Sequence, residues 1–218
     1  MRHGFLLVPA LVAVVVAWAL PQRAVSEDLS RCARFAAESA ARASVVTGSG
    51  PPVVAVLGDS WSVGLGLDDP LRSWPSRLPG EVHVFGFSGS GFSVGAGSCP
   101  GVAYETRADD ALRIDPDVVV VQGGLNDHRE PDAAVADGVR RMLAALRGQE
   151  VLLVGPAAAP SRAPRAARVD ALLPELAAEA GVTYLSTQDL ALDYLGDRLH
   201  LTPAGHHAFG DVVAAALE

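Results

Sequence analysis

Short runs of consecutive apolar residues recur along the chain, each closed by Gly, Pro or a polar turn. They lie at 53–57, 82–87, 118–122, 151–154 and, more weakly, 182–185. Unbroken rather than alternating apolarity over so few residues predicts strands buried on both faces. Between them lie longer Ala-, Leu- and Arg-rich stretches with apolar residues at helical spacing. These predict helices at 27–43, 131–147, 165–180 and 203–217. Gly181 stands where a helix C-cap is wanted, and Thr202-Pro203 reads as an N-cap followed by a first helical turn. Strands alternating with helices predict a parallel sheet covered on both sides. The expected fold is therefore α/β: a three-layer, flavodoxin-like doubly wound parallel sheet of about five strands. Its functional groups should stand just beyond the carboxyl ends of those strands.

The N-terminal apolar run, 5–20, follows Arg2 and His3 and has no polar face. It is short for a bilayer span, which needs ~20 residues. Ala24-Val25-Ser26 supplies small residues for cleavage before Glu27, so 1–26 reads as a secretory signal peptide, with an uncleaved membrane anchor as the alternative. Residues 27–52 then form an N-terminal helix and a Gly/Pro-rich linker, and 53–218 the α/β domain. The expected location is outside the cell, with membrane contact only if the anchor is retained.

Half of the 218 residues are hydrophobic and 19% are charged, enough to bury a core. There is no Lys; 17 Arg oppose 25 acids for a net −8, and loss of 1–26 leaves 15 against 25, or −10. An acidic chain without a basic cluster argues against nucleic acid, and no polybasic segment marks it for anionic membranes. Cys32 and Cys99 are the two cysteines and both survive cleavage. Export permits a disulfide, which would tie the N-terminal helix to the loop around residue 99.

The strand ends carry the candidate chemistry. After the first comes Gly58-Asp59-Ser60, after the second Ser88-Gly89-Ser90-Gly91, and after the third Gly123-Gly124-Leu125-Asn126-Asp127. Asn126 is the chain's only Asn. Before the last helix comes Asp197-Arg198-Leu199-His200. A Ser in a strand-to-helix turn is exposed above the sheet. An Asp three residues before a His can hold one imidazole nitrogen and leave the other facing the site. An Asn amide can donate to a developing oxyanion. Taken singly, each is as well read as a turn or a cap. The Gly89-x-Gly91 pair does not extend to a dinucleotide fingerprint, because the next Gly is Gly95. Neither His200 nor His206 and His207 have zincin spacing, so no metal and no cofactor are expected.

In this order and at these places, the blocks resemble the SGNH (GDSL-type) serine hydrolases from about Val53 to Leu217. Trp74-Pro75 resembles a further family feature. The resemblance implies Ser60 as nucleophile, His200 as base and Asp197 as its partner. It also implies an oxyanion hole from the backbone of Ser60 and Gly89 and the side chain of Asn126. Two departures stand out. Trp61 replaces the usual Leu and would reshape a pocket wall. No Asn precedes Gly89, which leaves Gly91 as an alternative donor. Asp127 is expected to brace its loop, and His206 to pack within the last helix. The implied activity is that of a secreted, monomeric serine esterase on short-chain acyl or O-acetyl esters of small molecules, glycans or lipids. The alternatives are a lipase for longer chains and a non-catalytic binding domain on the same fold.

Overall fold

A computed structural model describes residues 27–218; the signal or anchor expected at 1–26 lies outside the described residues. Helix α1 (27–43) is followed by β1 (Thr47–Gly48), β2 (Val53–Gly58), α2 (Ser60–Val63), β3 (Glu81–Gly86), α3 (Ala108–Leu112) and β4 (Val118–Gln122). Then come α4 (Asp132–Ala145), β5 (Val151–Val154), α5 (Ala163–Asp170), α6 (Leu173–Ala180), β6 (Thr183–Leu185) and α7 (Pro203–Ala215). The sheet order is β1-β3-β2-β4-β5-β6. The last five strands in that order run parallel, which is the flavodoxin-like winding, and β1 pairs antiparallel with β3.

The two faces of the sheet bury different halves of the core. Ala55, Leu57, Val119, Val121 and Leu153 pack under α3, α4 and α6. Val54, Val56, Val118, Val120 and Val154 pack under Trp61, Trp74 and the Phe209 and Val213 face of α7. β4 is buried at every position, which is why its sequence reads as an unbroken apolar run rather than an alternating one.

Two expectations need correction. The stretch 165–180 is not one helix. Pro174 removes a backbone donor and its ring crowds the preceding turn, so the chain breaks after Asp170 and restarts as α6 with Pro174 in its first turn. The linker is also not free chain throughout: Thr47 and Gly48 pair with Val82 and Glu81 as a sixth, edge strand.

α1 lies against the β3 edge. Ser39 Oγ donates to Gly86 O at 2.6 Å, and the Phe35 and Phe87 rings meet edge to face at 6.4 Å. Cys32 and Cys99 form the expected disulfide. No helix among the described residues is long and apolar enough to cross a membrane.

Candidate active site

Ser60 stands two residues past the end of β2 and opens α2. The turn is held by Asp59, whose Oδ1 accepts from Trp61 N at 2.9 Å. Ser60 is buried apart from its site-facing edge, at 8% exposure. His200 approaches from the loop before α7 and places Nε2 3.1 Å from Ser60 Oγ. Its Nδ1 lies 2.5 Å from Asp197 Oδ2. An ionised carboxylate can only accept, so the Nδ1 proton is donated to Asp197 and Nε2 is left to accept from the Ser60 hydroxyl.

Asp197 stays an acceptor. Burial pushes its carboxyl upward, but bonds from the His200 side chain and from the His200 and Leu199 amides outweigh that and hold it below the usual range. Those amides donate to Asp197 Oδ1 at 3.0 and 2.9 Å. The turn needs Arg198 at φ +58, a left-handed conformation costing an L-residue roughly 1 kcal/mol.

Asn126 follows β4 and reaches across to the turn after β3. Its Nδ2 donates to Ser90 O at 2.8 Å and, at 3.3 Å, to Asp59 Oδ2. Gly89 adopts φ +85, and a Cβ there would meet nothing within 4 Å. Gly91 is different: a Cβ would fall 2.4 Å from Asp127 Oδ2 and 2.5 Å from Ala96 Cβ. Gly91 is therefore a packing glycine, whereas Gly89 borders open space beside Ser90. The backbone N–H of Ser60 lies in the first turn of α2, where no intrahelical acceptor exists.

Asp127 braces its loop as expected, accepting from Phe92 N at 3.1 Å and Ser93 N at 2.8 Å. Burial raises its carboxyl to about 6, against the pull of those two bonds. Asp59 is likewise raised to about 6 by burial; the Trp61 amide, His200, Arg162 and Arg107 work in the opposite direction. His206 is buried on α7, with its amide bonded to Thr202 O, and its side chain bonds outside the helix. Its Nδ1 accepts from Trp74 N at 3.2 Å, which locks α7 to the Trp74-Pro75 segment.

Trp61 is 1% exposed and packs on Tyr194 and Phe209. Its Nε1 donates to Leu199 O at 3.1 Å, tying the Ser60 helix to the His200 loop. Two arginines went unnoticed in the sequence. Arg107 lies half-buried under the site, where it donates to Gly58 O, Phe85 O and Ser90 Oγ and faces the Tyr104 ring. Arg162 donates to Asn126 Oδ1. In a chain whose every basic residue is Arg, neither position stands out by composition. Among the described residues no group of three or more His, Cys, Asp or Glu is placed to hold a metal.

Comparison with known proteins follows the same outline. A family model described as GDSL-like lipase/acylhydrolase matches residues 56–208. A putative arylesterase from Agrobacterium tumefaciens is similar in structure at 24% identity and TM-score 0.65, covering 76% of this chain and 97% of the other. A carbohydrate acetylesterase from Sinorhizobium meliloti gives 18% and 0.63 over 76% and 97%. An aryl esterase from M. smegmatis gives 17% and 0.65 over the same shares. No curated protein matches the chain.

Proposed function

The chain belongs to the GDSL-like lipase/acylhydrolase family, and from that premise we propose that it is a secreted serine esterase for short-chain acyl or O-acetyl esters. The observation that carries the reading is the single line of contacts from Asp197 through His200 to Ser60 Oγ, at 2.5 and 3.1 Å.

Ser60 Oγ attacks the ester carbonyl as its proton passes to His200 Nε2. Asp197 holds the ring and stabilises the imidazolium without itself taking the proton. The negative charge on the former carbonyl oxygen is met by the Ser60 and Gly89 amides and by Asn126 Nδ2. Removing one such donor typically costs ~3–4 kcal/mol of transition-state stabilisation. His200 then returns the proton to the leaving alcohol, which departs and leaves Ser60 acylated. Water repeats the sequence on the acyl-enzyme: His200 takes its proton, and collapse of the second intermediate releases the acid and restores Ser60.

The short-chain preference rests on an open site. Asp197, at the outer end of the contact line, has a half-exposed side chain. Likeness to a carbohydrate acetylesterase favours a small acyl group over a long one. Secretion rests on the expected signal at 1–26, and the Cys32–Cys99 disulfide is consistent with an extracellular setting.

Residues 27–218 should be assayed on p-nitrophenyl esters from acetate to palmitate. Turnover should be highest at acetate to butyrate and fall steeply beyond. An optimum at ten carbons or more would make the protein a lipase instead.

A further inference from the structure

Asn126 can serve an oxyanion only if its amide is turned the right way round, because its oxygen and nitrogen are nearly equal in size and opposite in hydrogen-bonding sense. Two neighbours settle the orientation. The carbonyl of Ser90 can only accept and takes one Nδ2 proton at 2.8 Å. On the opposite side, Arg162 Nη1 can only donate, and it reaches Asn126 Oδ1 at 2.8 Å. The same Nη1 also donates to Leu125 O at 2.8 Å, so the guanidinium is fixed to the backbone just before Asn126 as well as to its side chain. The second Nδ2 proton has only the long, 3.3 Å contact with Asp59 Oδ2, so it is weakly engaged and available to a stronger acceptor without rotation of the amide.

Arg162 is itself held in place. It caps α5, with Arg165 N and Ala166 N donating to its carbonyl. Its neighbour Ser161 donates its amide to Arg198 O, inside the turn that carries Asp197 and His200. Arg162 thus joins the loop after β5 to the loops bearing Asn126 and His200. It is partly buried, yet no carboxylate lies within ion-pair distance of it, unlike Arg77, Arg140 and Arg168. A partly buried cation kept without an acidic partner beside a reacting centre is poorly explained by stability.

The geometry points to Arg162 as the positioning residue of the oxyanion hole: it orients the Asn126 amide, polarises it through Oδ1, and adds a positive charge behind the developing oxyanion. This inference rests on the serine esterase reading above. A cation hydrogen-bonded to an amide oxygen draws density from the amide nitrogen and strengthens its N–H groups as donors. That gain matters only when the oxyanion exists, so it belongs in kcat rather than in substrate binding.

A double-mutant cycle on p-nitrophenyl acetate tests it, with Ser60→Ala as the control for the esterase reading. Arg162→Ala should lower kcat about 10- to 100-fold and change KM less than about three-fold. In an Asn126→Ala background the same substitution should cost less than about three-fold, because its action runs through that amide. Arg162→Lys, which keeps a donor and the charge, should recover much of the loss. Equal losses in both backgrounds would overturn the inference, as would a rise in KM with kcat unchanged, which would make Arg162 a substrate-binding cation. Turnover that survives Ser60→Ala would instead overturn the esterase site on which it stands.

Discussion

Single residues divide into those whose chemistry the sequence announces and those whose role depends on what faces them. Ser60, Asn126, Asp197 and His200 were legible because they stand just beyond strand ends or beside a helix start, where α/β folds gather function. Arg107 and Arg162 were not, since an arginine's partner is set by tertiary approach: Asn126 lies 36 positions before Arg162. His206 illustrates a measurable consequence of burial. Desolvation lowers its imidazole to about 4, with the like charges of His200 and His207 adding to the effect. Between about pH 6.5 and 4 the unfolded chain binds a proton that the folded chain refuses. The stability that neutral His206 contributes is therefore complete above pH 6.5 and is lost as the pH falls toward 4. Asp59 and Asp127, raised to about 6, act in the opposite sense, retaining protons in the fold that the unfolded chain has released. Comparison with His206→Asn, whose amide oxygen can still accept from Trp74 N, isolates the histidine. From pH 7 to pH 5 the wild type should lose about 2 kcal/mol more unfolding free energy than the variant. Parallel urea-unfolding curves at the two pH values would contradict this.

At the scale of elements, β2, β4 and β5 coincide to within a residue with continuous apolar runs because they are buried almost throughout; β3 alternates between buried and half-buried positions and β6 is partly exposed, so these two are not the doubly buried strands that the runs at 82–87 and 182–185 predict. Helices were less secure where proline intervened, as the break between α5 and α6 shows. The edge strand β1 has two residues, too few for any periodic signal. Helix α4 carries a constraint that its sequence conceals. Gly138 in the middle of a helix would ordinarily gain about 1 kcal/mol on replacement by Ala. Here a Cβ would come 2.2 Å from Phe92 O and 2.5 Å from Phe92 C, both backbone atoms. Those atoms belong to the loop that Asp127 holds, so they cannot yield cheaply. Gly138→Ala should therefore destabilise by about 1–3 kcal/mol. A raised thermal midpoint for the variant would show that α4 and this loop are less closely fitted than they stand here.

The whole molecule is a doubly wound sheet whose carboxyl edge gathers the loops of the site, each fastened to another. Trp61 joins the Ser60 helix to Leu199, Arg162 joins the β5 loop to Asn126, and Arg107 ties the ends of β2 and β3. At the same edge, the Cys32–Cys99 bond fixes α1 to the loop that follows the Gly89 turn. This order was expected in outline from alternating strands and helices, and so was the disulfide; the Trp61, Arg162 and Arg107 fastenings were not, because each joins residues distant in sequence through side chains of ordinary type. All of them serve one arrangement, in which His200 Nε2 meets Ser60 Oγ at 3.1 Å. The most direct test is labelling of residues 27–218 by a fluorophosphonate, read by intact mass and peptide mapping. The account predicts one adduct, on Ser60, formed far more slowly in His200→Ala and absent in Ser60→Ala. A folded wild-type protein that takes no label, or takes it elsewhere, would contradict it.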